Sequence, residues 1–222
     1  MGGSTLCLSP KGGTPLFSQL ISFWKGHRTA LYMAILLFLF GIMAAFLFFE
    51  PLQAILQETI QNLIQKILPE NTQTIDAMTL FRAIFLNNLQ AALVTLVSGV
   101  FFGIFPIMTM IFNGLALGYT LKAASLHGTN MLLLLSLGIL PHGMFEIPAL
   151  ILAAAYGFVL GGLVIKSIGR LFTQKSERAL GWSWAIRAFI PNLIVITVLL
   201  LIAAAIESTA TLWLVQTFVN TP

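Results

Sequence analysis

The stretch "LYMAILLFLFGIMAAFLFF", residues 31–49, contains no charged side chain and no alternation of apolar with polar positions. Such a run crosses the hydrocarbon layer of a bilayer as an α-helix, which takes about 20 residues. A transmembrane barrel strand would be shorter and would alternate. The run is also too long and too far into the chain for a typical secretory signal, so it reads as a retained span. Backbone groups in lipid must be satisfied within their own segment. The chain is therefore expected to be all-α, a polytopic membrane helix bundle.

Further apolar runs predict spans at about 83–105, 107–126, 145–165 and 188–206, which makes five. Residues 131–140 form a half-span, too short to cross alone, and read as a re-entrant segment. Composition agrees. The chain has 222 residues, 58% hydrophobic and 8% charged, whereas a soluble domain carries about 25% charge. Residues 1–29 are polar, with "SPKGGTP", and read as a flexible cytoplasmic tail. Residues 30–218 form one membrane domain, and 219–222 a short tail. After the first span, Leu52, Ile55, Leu56, Ile60, Leu63, Ile64 and Ile67 recur at helical spacing. They predict an extracytoplasmic amphipathic helix over about 52–68, lying on the membrane surface or covering the bundle.

Charge sets the expected orientation. Lys11, Lys25 and Arg28 precede the first span, and Lys166, Arg170, Lys175, Arg178 and Arg187 lie between the last two. The first loop mixes Lys66 and Arg82 with Glu50, Glu58, Glu70 and Asp76. Cytoplasmic loops are enriched in Lys and Arg. This predicts a cell-membrane protein with a cytoplasmic N-terminus and, after five crossings, an extracytoplasmic C-terminus. Trp24, Trp182, Trp184 and Trp213 fall near span ends, as interface anchors do. The net charge of +4 does not suggest nucleic acid, because no basic–aromatic cluster is present to read a base. The single cysteine, Cys7, excludes an intrachain disulfide and a cysteine-rich metal site.

Three predicted spans carry GxxxG: Gly99 with Gly103, Gly114 with Gly118, and Gly157 with Gly161. Each pair makes a groove in which helix backbones approach closely. The expectation is a tight core of spans two, three and four within the chain, with a homo-oligomer seam as the alternative. Asn113 in span three is expected to make an interhelical hydrogen bond.

"LPHGMFEIPAL", residues 140–150, places a histidine, a carboxylate and two prolines among apolar neighbours. Pro148 fits the first turn of a helix. Span four is thus expected to begin near Met144 or Phe145, with His142 and Gly143 in a non-helical link. Glu207 closes span five. By the predicted topology His142, Glu146, Glu207, Asn88 and Asn87 fall at similar depth, in the outer part of the membrane. Ionisable residues at that depth are functional-site candidates. One imidazole and two carboxylates suit zinc or another divalent ion, although no recognised metal-ligand spacing such as HExxH is present. A proton or ion relay is a second use. The structural account has His142 and Glu146 closing the break by hydrogen bonds, with Glu207 snorkelling to water. No GxSxG, P-loop or dinucleotide fingerprint occurs.

Three blocks carry a family resemblance: "NNLQAALVTLVSGVFFGIFPIMTMIFNGLALG" at 87–118, "LPHGMFEIPALILAAAYGFVLG" at 140–161 and "IAAAIE" at 202–207. The chain resembles the stage II sporulation protein M family of bacterial and archaeal membrane proteins. The family pattern maps onto Asn88, Gly99, Asn113, Gly114, Gly118, His142, Gly143, Glu146, Gly157 and Glu207. The resemblance implies a five-span fold. It also implies a non-enzymatic scaffold or assembly protein at the cell envelope with membrane or envelope protein partners, as the name-giving member is similar to a scaffold for peptidoglycan-degrading enzymes. The alternative is a transporter or metal-dependent enzyme using the His142, Glu146 and Glu207 cluster.

Overall fold

The computed structural model describes residues 16–53, 77–126, 128, 130–173 and 181–218. Among these, the chain is all helical. The helices are α1 (Leu16–Gly26), α2 (Arg28–Leu47), α3 (Ala77–Ser98), α4 (Ile104–Leu126), α5 (Leu140–Thr173) and α6 (Trp182–Phe218). A short turn, Met131–Leu133, and a π-helical stretch, Leu134–Ile139, lead directly into α5. Five helices, α2 to α6, are long and apolar enough to cross a membrane. Most of the predicted 52–68 helix lies outside the described residues.

α5 is the axis of the bundle. Its most apolar window is 61% buried, against 22–33% for the other spans. It touches α2, α3, α4 and α6. Its sequence allows this. Ala149, Ala153, Ala154 and Ala155 are buried, and small residues let neighbouring backbones close in where lipid offers no hydrophobic drive. One core joins Leu96 of α3, Ala153 and Tyr156 of α5, and Ile196 and Leu200 of α6. A second joins Ala34 and Phe38 of α2, Met110 of α4, and Ala154 and Ala155 of α5. The outer side of α2 exposes Tyr32, Leu36, Leu39, Phe40, Met43 and Leu47, as a lipid-facing surface does.

The glycines divide between two seams. A β-carbon on Gly157 would meet Pro106 Cγ at 2.6 Å and Thr95 O at 2.9 Å, and one on Gly161 would meet Phe102 C at 2.8 Å. So Gly99 and Gly103 face Gly157 and Gly161, as spans two and four. Gly114 and Gly118 do not join that core. They pack on α2, where a β-carbon on Gly118 would meet Ile42 O at 2.7 Å and Ala45 Cβ at 2.8 Å. The matching small pair on α2 is Gly41 and Ala45.

Four boundaries differ from expectation. The turn between spans two and three lies at Gly99–Gly103, ahead of Pro106, with Phe102 at φ 58° and Gly103 at φ 75°. Pro106 sits in the first turn of α4, where its missing N–H costs nothing. The segment 131–140 is no separate half-span, because it runs on into α5. Residues 16–26 are no flexible tail: α1 packs on α6, and Phe23 is fully buried. Its ring stacks 5.7 Å from Tyr156 and 6.4 Å from Trp184. Finally, α6 continues beyond Glu207 to Phe218.

Candidate functional site

The helix through His142 is unbroken. α5 begins at Leu140, so Pro141 occupies its first turn, while Pro148 lies inside. Proline is tolerated within membrane helices when neighbouring groups re-satisfy the backbone. The non-helical link at His142 and Gly143 is thus corrected to regular helix. His142 and Glu146, four apart, share one face. Glu207 is likewise not at a helix end but within α6.

That face of α5 lines a cavity of about 380 Å³, through His142, Gly143, Glu146, Ile147 and Leu150, with Ile139 just before them. α4 lines it with Asn113, Ala116, Leu117 and Thr120, again one helical face. Phe38 of α2 and Glu207 of α6 complete it. One ligand-capable atom from each of His142, Glu146 and Glu207 lies within 4.8 Å of the others. All three are half-buried. Asn87 and Asn88 are not among the lining residues; Asn87 Nδ2 donates to Asn88 Oδ1 over 3.4 Å. The expected grouping by depth does not bring them to the cavity.

Asn113 was expected to bridge helices. Instead its Nδ2 donates to Thr109 O of its own helix over 2.8 Å, and the residue lines the cavity. The link between α3 and α4 is made by Thr95 Oγ1 donating to Thr109 Oγ1 over 3.3 Å. Thr120 and Phe38 were not foreseen at the site. The 113, 116, 117, 120 spacing is the signal that could have placed Thr120 beside Asn113.

A model of the stage II sporulation protein M family matches residues 34–212. The chain belongs to this family. The stage II sporulation protein M match takes in every residue lining the cavity and leaves α1 outside. The chain is also similar to an uncharacterized protein of Methanocaldococcus jannaschii, 28% identical over 180 residues, covering 81% of this chain and 92% of that protein. No solved structure matches the chain.

Proposed function

We propose that this multi-pass membrane protein works by holding a polar or charged ligand inside the membrane, in the cavity bounded by His142, Glu146 and Glu207. One observation supports this above the rest: three ionisable side chains from two helices come within 4.8 Å of one another inside the bundle. Such groups are costly in lipid and mark substrate or ion pathways. Packing alone would be served by leucine there. The charge bias supports a cytoplasmic N-terminus and an extracytoplasmic C-terminus. Lys166 and Arg170 then lie at the inner end of α5, and His142 near its outer end.

Family membership supports a second reading, the envelope scaffold. Its partners, other membrane proteins or a second copy of the chain, would dock on exposed helix faces such as that of α2. The two readings part on one experiment. Strains lacking the gene are complemented with wild type, His142→Ala, Glu146→Gln or Glu207→Gln, with membrane levels matched. Ligand handling requires all three variants to fail. A scaffold requires all three to complement and to crosslink the same partners as wild type.

A further inference from the structure

We infer that the cavity is a binding site for a first-row divalent metal ion of the zinc or manganese class. His142, Glu146 and Glu207 hold it and leave at least one coordination position open. This rests on the reading that the cavity takes a charged ligand, and narrows that ligand to a chemical class.

The geometry is close to closed. Metal–ligand bonds of about 2.0–2.2 Å in a tetrahedron put neighbouring ligand atoms roughly 3.4 Å apart. The three atoms here lie within 4.8 Å. The remaining shift is within reach of a change in glutamate side-chain rotamer. His142 and Glu146 ride on one face of α5, and Tyr156 Oη, donating to Ala185 O over 2.7 Å, ties α6 to α5 farther along the pair. Leu200, Ala203 and Ala204 of α6 are buried close to Glu207 in the sequence.

Charge selects a cation. As metal ligands, two carboxylates and one imidazole lose their protons and sum to −2, which one divalent ion cancels. Among the described residues, no lysine or arginine lines the cavity. Lys122, two residues beyond Thr120 on α4, is outside the lining set. An anionic ligand would sit beside two carboxyl groups with no permanently charged lysine or arginine from the described residues to pair with it.

Donor type selects the metal. One nitrogen and two oxygens, with no sulfur in the lining, favour zinc, manganese or iron over copper(I); magnesium and calcium prefer all-oxygen shells. Three protein ligands rather than four is the pattern of sites that keep a place for water or substrate. The opposite wall suits that place. Asn113 spends its Nδ2 on Thr109 O, and Thr120 spends its hydroxyl proton on Ala116 O over 2.9 Å. Both keep an oxygen able to accept from a metal-bound water.

The test uses the full chain, purified in detergent without chelator. Metal content is measured by mass spectrometry. Thermal unfolding is followed with added Zn²⁺ or Mn²⁺. The expected result is about one metal per chain, a metal-dependent rise in melting temperature, and affinity at least ~10-fold weaker in His142→Ala and Glu207→Gln. Glu146→Gln, close in shape to glutamate, guards against misfolding, and its unfolding without metal should match wild type. His27→Ala should leave the stoichiometry unchanged. Wild-type protein with no bound metal and no response to either ion overturns the assignment, as does full binding in the cavity variants. If wild type is metal-free while the variants still fail complementation, the metal is wrong and the cavity's importance stands. If metal binds and the variants complement, the site stands and the functional reading falls.

Discussion

Gly99 and Gly157 meet backbone to backbone: a β-carbon on Gly99 would fall on the carbonyl of Gly157. No side-chain motion can relieve that overlap, so α3 and α5 must separate to admit it. Gly99→Ala is expected to destabilise the bundle by about 3 kcal/mol or more, read as a fall in thermal midpoint in detergent. Gly162→Ala is the control. A β-carbon there meets nothing within 4 Å, so alanine should be neutral or up to ~1 kcal/mol stabilising through helix propensity. Equal effects would refute the seam.

Gly103 tests a different cause. Its β-carbon would have room, with Phe158 Cδ1 at 3.5 Å, but its φ is 75°. Gly103→Ala should cost about 1–2 kcal/mol from conformation alone. Gly103→Asn should cost less, because asparagine tolerates that region. Chemical denaturation of the three proteins distinguishes the cases; an alanine variant as stable as wild type would exclude this turn geometry.

Phe23 is fully buried at the junction of α1, α5 and α6. Phe23→Ala is expected to lose about 3–5 kcal/mol. Loss should concentrate in α1, seen as faster amide exchange over residues 16–26 with little change in α5. Uniform loss across the bundle would contradict a separately docked α1.

Tyr156 donates from within the core to the Ala185 carbonyl. Tyr156→Phe removes one hydrogen bond and keeps the ring stacking. The expected cost is about 1 kcal/mol, with no change in zinc stoichiometry. A larger loss, or a lost metal, would show that the bond holds the cavity rather than only the helix pair.

Asn113→Ala should weaken zinc binding by about 10-fold if it supports a metal-bound water, whereas Asn88→Ala should leave it unchanged. Calorimetric titration of both variants decides between them, and reversed effects would move the site from α4 to Asn88 on α3.

Span number and helical class were legible because bilayer thickness imposes a length on every crossing. Counting along the spans put His142, Glu146 and Glu207 level, and the three side chains do come together. Depth says nothing about azimuth. Asn88 was therefore grouped with the three, although it is not among the residues lining the cavity. Proline and glycine misled for a physical reason. "PHGMFEIP" reads as a break by soluble-protein rules, yet α5 continues through Pro148, as helices surrounded by other helices can. The predicted spans 83–105 and 107–126 meet at Pro106, whereas the positive φ angles belong to Phe102 and Gly103. α1 was overlooked because Lys, Gly and Ser around it dilute its hydropathy, while the packing that stabilises it lies far away in sequence.

That distance has a consequence in time. Trp24 Nε1 donates to Asn192 Oδ1 over 2.9 Å, 168 residues further on, and Phe23 stacks near Trp184 of the same helix, α6. A chain made from its N-terminus emerges with α1 long before either partner exists. α1 can dock only after α6 has entered the membrane. α1, made before α6, thus settles after it, and its docking reports that α6 is in place.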